Sequence, residues 1–262
     1  MQSSEEMVPQ FILYSLIAYM YDRGNLNLSD YIDYCQEVSI ENYQKIAMRD
    51  YSASISEKSE LHPNGIVATD TLLTMAGLKC GDFLLDAGTG HGGIACYIAQ
   101  KYDCSVTAID LDPIRIVDAL YRSKVMGIKN IHFQVENAYH MSFTDHSFDL
   151  ILRQHSVYGD NEEKFVSEAS RVLKEHGKLA IQGIFKKRVL GNKRKNLEDF
   201  SFIAYKELLE QYSFQIEEFE ENNSTLELLE SYRIKEQINL IELVEKGIIY
   251  GFKLVAKKET SL

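Results

Sequence analysis

The chain has 262 residues, of which 39 are acidic and 28 are basic, so its formal net charge at pH 7 is −11. This acidic balance argues against a general nucleic-acid binder, because neutralising phosphates requires a basic surface. With 45% hydrophobic and 26% charged residues, the composition is typical of a soluble globular protein. The length allows one α/β domain with an appendage.

The sequence favours neither membrane insertion nor a metal or disulfide framework. The apolar stretch Phe11–Tyr21 is too short to cross a bilayer, and it follows Glu5 and Glu6 instead of a positively charged segment. The four cysteines form no Cys-x-x-Cys pair, and no histidine cluster accompanies them. We therefore expect a cytoplasmic protein with reduced thiols, and no metal site, export signal or membrane partner.

Residues 1–80 are predicted to form an N-terminal helical cap. Ser29 is a plausible helix cap, and the region is rich in tyrosine, which suits either helix packing or a small-molecule pocket. The predicted helices are Val8–Tyr21, Asp30–Val38, Ile40–Ala47 and Ile66–Ala76.

Residues 81–262 are predicted to form the main α/β domain, because short apolar runs alternate with helical segments. Strand, helix, strand, repeated in this way, produces a parallel sheet with helices on both faces. The predicted strands are Phe83–Leu85, Ser105–Ile109, Ile131–Val135, Phe148–Leu152, Lys178–Phe185, Phe214–Phe219 and Ile248–Ala256. The predicted helices are Gly92–Lys101, Pro113–Met126, Asn161–Leu173, Leu197–Tyr212 and Leu226–Glu245, with a turn at His176-Gly177 after the third of them.

A basic stretch, Lys186–Lys195, follows the predicted fifth strand and contains six basic residues and no acidic one. It is either a solvated loop or a binding site for an anionic substrate group. Together with the next helix, residues 186–212 are a candidate lid. Nucleic acid is a disfavoured partner because the whole chain is acidic.

The most informative segment is Phe83–Gly93, where an apolar run ends in Asp86 and meets glycines at alternate positions. Such a strand, tight turn and helix start can hold a nucleotide-like ligand. The spacing fits both the dinucleotide fingerprint and the pattern of adenosylmethionine-dependent methyltransferases. Asp110 lies at the end of the next predicted strand, where a carboxylate can accept hydrogen bonds from ribose hydroxyls. The glycine spacing alone leaves the choice of cofactor open.

Four motifs in chain order resemble those of the class I S-adenosylmethionine-dependent methyltransferases, and together they span Phe83–Phe185. They are Leu-Leu-Asp-Ala-Gly-Thr-Gly-His-Gly from residue 84, Val-Thr-Ala-Ile-Asp-Leu-Asp-Pro from 106, Phe-Thr-Asp-His-Ser-Phe-Asp-Leu-Ile from 143 and Arg-Val-Leu-Lys-Glu-His-Gly-Lys-Leu from 171. The resemblance implies a Rossmann-like, seven-stranded, mostly parallel sheet with a reversed last strand. Ile248–Ala256 is the candidate for that strand.

The resemblance also implies the cofactor, S-adenosyl-L-methionine, and the residues that bind it. The glycine turn would pass beneath the methionine and ribose, Asp110 would bind the ribose diol, and Leu111 would cover the adenine. Asn137 would accept from the adenine amino group, with Glu136 as the alternative partner. The implied cofactor-binding residues are Asp86, Gly88, Thr89, Gly90, Asp110, Leu111, Glu136, Asn137, Ala138 and Arg153.

Methyl transfer from a sulfonium is an in-line displacement that needs alignment above all, and a base only for some acceptors. His155 is the candidate base or orienting group, since imidazole titrates near neutrality, although a surface or capping histidine is an equal alternative. Tyr158 is a candidate pocket residue. Tyr51 is a candidate for covering the sulfonium or acceptor, with core packing as its alternative.

The predicted function is therefore methylation of a small-molecule acceptor, with the acceptor, the methylated atom and the oligomeric state, a homodimer included, left open. One alternative is a C-methyltransferase acting on a prenyl diphosphate, although Gln154 stands near the point where those enzymes appear to use a glutamate. An NAD-dependent oxidoreductase is an alternative of another class. A third is a methyltransferase-like protein that binds the cofactor only to support a partner.

Overall fold

The computed structural model describes residues 65–154, 162–186, 202–222 and 249–260. Helices and strands alternate along these ranges, as the sequence pattern predicts. The helices are α1 Gly65–Ala76, α2 Gly93–Lys101, α3 Pro113–Val125, α4 Glu162–Val172 and α5 Phe202–Gln211. The strands are β1 Phe83–Ala87, β2 Ser105–Asp110, β3 Ile131–Val135, β4 Phe148–Gln154, β5 Leu173–Lys186, β6 Phe214–Asn222 and β7 Ile249–Lys258.

The strands form one seven-stranded sheet in the order β3-β2-β1-β4-β5-β7-β6. Strands β1 to β5 pair in parallel, whereas β7 lies between β5 and β6 and is antiparallel to both. The prediction of a mostly parallel sheet whose last strand is reversed is therefore confirmed.

Each face of the sheet is covered by a hydrophobic core. On one face, buried side chains of β1, β2 and β4 pack with α1, α2 and α3 around Leu84, Ile98 and Leu152. On the other face, α4 and α5 pack around Ile151 and Phe165. Because successive strand residues point to opposite faces, the short apolar runs of the parallel strands supply both cores at once.

The turn before β5 differs from the predicted one. Helix α4 ends at Val172, and Leu173 already pairs with Phe148, before the register shifts so that Lys178 pairs with Leu150. His176 takes the left-handed conformation, with φ of 62°, and a side chain on Gly177 would meet the Lys174 carbonyl oxygen at 2.9 Å. The predicted stop at His176-Gly177 is thus an irregularity within the β4–β5 pairing.

Most of the predicted cap and lid lies outside the described residues. This applies to the helices predicted over Val8–Tyr21, Asp30–Val38, Ile40–Ala47 and Leu226–Glu245, and to positions 187–201 of the candidate lid. The division at residue 80 stays a prediction. No helix in the described part of the chain is both long and apolar enough to cross a membrane.

Candidate active site

The glycine turn connects the end of β1 to α2 at the carboxyl edge of the sheet. Gly88, Gly90 and Gly92 have φ values of 91°, 57° and 74°, a region where residues with a side chain are strained. The backbone N–H groups of Gly88 and Thr89 both donate to the Ile109 carbonyl oxygen, each at 2.9 Å. The turn is therefore folded over the end of β2, and its alternate glycines are required by the backbone conformation.

Two of these glycines face different surroundings. A Cβ atom on Gly92 would lie 2.5 Å from the Ala119 Cβ and 2.9 Å from the Phe133 ring, so α2 can approach α3 and β3 only with glycine there. A Cβ atom on Gly90 would meet nothing within 4 Å. Gly92 thus serves packing, whereas the space beside Gly90 is open to a ligand.

Asp110 joins the turn to the end of β2. One carboxylate oxygen accepts from the Gly90 N–H at 2.9 Å, and the other accepts from the Asp112 N–H at 2.9 Å. Arg115 lies 3.7 Å from the first oxygen. Because a carboxylate has about four lone-pair positions, Asp110 keeps acceptor capacity for ribose hydroxyls while it holds the turn.

Asp86 lies beneath the turn in β1, and only 4% of its surface is exposed. Burial raises the pKa of Asp86 to about 6, and the negative charge of Asp110 adds to the rise. The Thr89 hydroxyl is near enough to oppose part of this rise, although no hydrogen bond joins the two side chains. Within the described residues, Asp86 Oδ2 and Thr89 Oγ1 are buried polar atoms without a partner, which is costly unless a ligand supplies one.

Leu111 directly follows Asp110 and is 68% exposed. A large apolar side chain next to a carboxylate that can bind ribose suits contact with a flat base. Its predicted role over the adenine stays a prediction, and its open position is compatible with that role.

The segment after β3 forms a tight polar turn. The Glu136 carboxylate accepts from Gln134, from Ser142 and from the Asn137 N–H. The Asn137 side-chain oxygen accepts from the Tyr139 N–H at 2.9 Å. Asn137 thus has the turn-forming role that asparagine often takes, and it retains one lone pair for an adenine amino group. Ala138 follows in this turn and packs against the core.

Arg153, which was predicted to bind the cofactor, is buried in an ion pair within the protein. Its guanidinium donates to both Glu162 oxygens, at 2.7 and 3.0 Å, and lies 4.1 Å from the centre of the Phe165 ring. Arg153 is 2% exposed and Glu162 is 6% exposed. This bidentate pair joins the end of β4 to the start of α4, and a contact of Arg153 with the cofactor stays a prediction.

Sequence reasoning missed a chain of polar side chains at the end of β4. Thr69 of α1 donates to the Gln154 side-chain oxygen at 3.1 Å, and the Gln154 amide donates to the Gln182 side-chain oxygen at 2.7 Å. Thr69 and Gln154 are 85 residues apart in the chain, so no local sequence pattern predicts their contact. The only available signal in the sequence was a glutamine directly after or within a largely apolar strand, Gln154 in β4 and Gln182 in β5.

The predicted catalytic residues, His155, Tyr158 and Tyr51, lie outside the described residues, as does the basic stretch apart from Lys186. The structure therefore brings together Asp86, the glycine turn, Asp110 and Leu111, with the Glu136–Ala138 turn on the neighbouring strand. In the described part of the chain, no group of three or more His, Cys, Asp or Glu side chains could hold a metal ion.

The sheet order, the reversed β7 and the glycine turn define an α/β protein in which the carboxyl ends of β1 and β2 suit a ribose-containing cofactor. Two comparisons with known proteins identify its class further. A family model described as a methyltransferase domain matches residues 85–181. Uncharacterized methyltransferase YodH of Bacillus subtilis is 31% identical over 162 residues, which are 59% of this chain and 69% of that relative. The chain belongs to the class I S-adenosylmethionine-dependent methyltransferases.

Two further proteins to which the chain is similar are named for different methyl acceptors. Sarcosine/dimethylglycine N-methyltransferase of Halorhodospira halochloris is 34% identical over 99 residues, or 37% of this chain and 36% of that protein. The crystal structure of geranyl diphosphate C-methyltransferase from Streptomyces coelicolor superposes with a TM-score of 0.67 at 18% identity, over 74% of this chain and 78% of that chain. The second likeness concerns the fold alone. The chain spans about half or less of the length of the first curated relatives that it matches.

Proposed function

We propose that the protein is an S-adenosylmethionine-dependent methyltransferase that transfers a methyl group to a small-molecule acceptor by in-line displacement. The observation that carries this proposal is the pair of unpartnered buried polar atoms, Asp86 Oδ2 and Thr89 Oγ1, beside a turn whose Gly90 is open. Asp110 would hold the ribose and Leu111 the adenine. The cofactor, when bound, supplies a methyl group activated by a sulfonium.

The electrostatics of the turn favour this cofactor over NAD. A dinucleotide places its pyrophosphate on free N–H groups of such a turn. Here the N–H groups of Gly88, Thr89, Gly90 and Gly92 already donate within the protein, one of them to the Asp110 carboxylate. Two carboxyl groups, Asp86 and Asp110, would repel a pyrophosphate but attract the ammonium and sulfonium of adenosylmethionine.

The fold supports the same choice. Dinucleotide-binding proteins of the Rossmann type continue their sheet with parallel strands in the order 3-2-1-4-5-6. This chain instead inserts the antiparallel β7 between β5 and β6. The oxidoreductase alternative therefore has neither the sheet order nor the phosphate-binding N–H groups in its favour.

The residues proposed for the acceptor side follow β4. His155 would take or orient an acceptor proton, Tyr158 would shape the pocket, and Tyr51 would lie against the sulfonium or the acceptor. The C-methylation alternative needs a group that stabilises a carbocation. Gln154 is neutral and offers no negative charge to a carbocation. Its side-chain oxygen accepts a hydrogen bond from Thr69, and its side-chain nitrogen donates one to Gln182.

Calorimetric titration with adenosylmethionine, adenosylhomocysteine and NAD tests the cofactor. We expect binding of the first two in the micromolar range and no binding of NAD. Absence of adenosylhomocysteine binding at millimolar ligand would contradict the proposal. Binding without turnover across a broad acceptor panel would favour the alternative in which the cofactor only supports a partner.

The Asp110→Ala variant tests the site itself. We expect adenosylhomocysteine affinity to fall at least tenfold, because the ribose and the Gly90 N–H lose their acceptor. The matched control is Asp112→Ala, which removes a neighbouring carboxylate that makes an ion pair with Arg115. Unchanged affinity in Asp110→Ala would remove the ribose assignment.

A further inference from the structure

A row of polar residues crosses the sheet at the level of the glycine turn. Gln154 of β4 pairs with Gln182 of β5, which pairs with Lys253 of β7, which pairs with Glu220 of β6. Asp86 pairs with Leu152, two residues before Gln154, so the row is level with Gly88. A polar row thus starts beside the glycine turn, where β4 ends, and continues within β5, β7 and β6.

The side chains of this row share one face of the sheet. Leu152, Ala180 and Val255 belong to the core beneath α1, and residues two positions along the same strands point to the same face. Gln154 and Gln182 are joined to each other and to Thr69 of α1 by hydrogen bonds. The row is therefore held rigidly at its β4 and β5 positions.

Lys253 is the unusual member of the row. Only 6% of its side chain is exposed, and its nearest carboxylate oxygen, Glu220 Oε2, lies 3.5 Å away, beyond the usual distance of a charged hydrogen bond. Glu220 is itself 48% exposed. An ammonium carries three donors, and burying it without full pairing costs free energy. Within the described residues, Lys253 has no other ion pair that would offset this cost.

We propose that Lys253, with Gln182 beside it, binds an anionic group of the methyl acceptor, a carboxylate or a phosphate. This inference rests on the proposed methyltransferase function and names its substrate class. Neighbouring strands are about 4.8 Å apart, so Lys253 lies roughly 14 Å along the sheet from β1. The anionic group of the acceptor would therefore lie on the order of 14 Å along the sheet from the end of β1.

The opposing explanation is that Lys253 and Glu220 form a stabilising ion pair. The two explanations predict opposite effects in the same variants. A stabilising pair loses stability when either partner is replaced, whereas a lysine kept for binding is replaced by methionine without loss, because an apolar residue of similar length removes the cost of the buried charge.

The test titrates the adenosylhomocysteine-saturated protein with inorganic phosphate and, separately, with acetate by calorimetry. Lys253→Met should weaken binding of the preferred anion at least tenfold. Glu220→Gln should strengthen it at least threefold, because a competing carboxylate is removed. Lys257→Met is the matched control, since Lys257 lies on the same strand and face but near its other end, next to Glu259. The two probes show whether the site prefers a phosphate or a carboxylate.

Three results would overturn the inference: no anion binding by the wild-type complex, equal binding by wild type and Lys253→Met, or a lower melting temperature in both Lys253→Met and Glu220→Gln. Adenosylhomocysteine affinity, measured in the same samples, should change less than twofold in Lys253→Met. If the wild-type protein does not bind adenosylhomocysteine, the proposed function itself is contradicted. Failure of the substrate class and failure of the function are thus separate outcomes.

Discussion

Asp86 is the residue at which the demands of folding and of binding oppose each other. It is buried beneath the glycine turn, and Oδ2 lacks a hydrogen-bond partner. A core designed only for stability would place an apolar residue there, because an unpaired buried carboxylate costs free energy. A ligand with a positive charge or a donor offsets that cost, so the unfavourable residue is itself an indication of binding.

The raised pKa of Asp86 predicts a pH dependence of stability. The folded protein holds this proton up to a pH of about 6, whereas an aspartate in the unfolded chain releases it near pH 3.8. Between these values the folded state binds more protons, so this group makes the free energy of unfolding fall as the pH rises, by on the order of 3 kcal/mol in total. Above a pH of about 6 the contribution is constant.

Asp86→Asn removes that titration. We expect the variant to gain stability relative to wild type as the pH rises from 4 to 7, measured by urea unfolding of the cofactor-free protein at both values. An identical stability difference at the two pH values would contradict the assignment of the shifted carboxyl group to Asp86.

At the scale of single elements, the glycine turn has two separable tasks. Gly92→Ala would force a side chain into Ala119 and Phe133 at a positive φ, and we expect a loss of about 3 kcal/mol in the free energy of unfolding. Gly90→Ala also has a positive φ but meets no neighbour, so about 1 kcal/mol is expected. Chemical denaturation of both variants measures these losses.

Cofactor affinity should be affected more by Gly90→Ala, although Gly92→Ala costs more stability. A methyl group at Gly90 extends into the space that we assign to the ligand, so Gly90→Ala should lose adenosylhomocysteine binding while it remains folded. Unimpaired binding by Gly90→Ala would mean that the ligand does not approach this part of the turn.

The junction of β4 and α4 depends on the buried pair of Arg153 and Glu162. Glu162→Gln removes the carboxylate charge to which the Arg153 guanidinium, 2% exposed, donates twice, and we expect a loss of about 3 kcal/mol or more in the free energy of unfolding. The double variant Arg153→Met/Glu162→Leu should regain most of it, because neither charge remains. A urea double-mutant cycle measures the coupling between the two residues. Additive losses would show that the two side chains act independently.

At the scale of the whole molecule, the cofactor would contact the ends of β1 and β2 and the segment after β3, and these three strands belong to one continuous sheet. Binding at these ends should therefore stabilise the sheet as a unit. At adenosylhomocysteine concentrations of 100 times its dissociation constant the gain is about 2.7 kcal/mol, or a rise of roughly 5 to 10 °C in melting temperature. Differential scanning calorimetry measures the rise, with NAD at equal concentration as the control. An unchanged melting temperature at saturation would contradict this coupling.

Much of the fold was predictable from the sequence because it depends on local patterns. Apolar runs of strand length, helix signals between them and the alternate glycines are all read within about ten residues. The prediction placed the end of α4 one residue too late and the start of β5 five residues too late. Pairing of Leu173 with Phe148 makes β5 begin before the left-handed His176. Only a partner strand can reveal such an extension.

The candidate site divides in the same way. The acidic residues at strand ends and the glycine spacing indicated a ribose-containing cofactor, since each of these features is recognised from a few neighbouring residues. The amino-acid sequence did not reveal which side chains pair with each other. Examples are the bond from the Tyr139 N–H to Asn137, the pair of Arg153 with Glu162, and the chain from Thr69 through Gln154 to Gln182. A polar side chain has several possible partners, and the packing of helices on the sheet selects among them.

The sequence by itself determined the class of protein, the strand–turn–helix that we assign to the cofactor and the positions of Asp86 and Asp110. The tertiary structure decided that β7 enters between β5 and β6, and that Lys253 thereby comes to lie beside Gln182 and level with the glycine turn. The physical reason is that side-chain periodicity is a local property of the chain. Strand order and register, in contrast, depend on burial and hydrogen bonding between segments far apart in sequence.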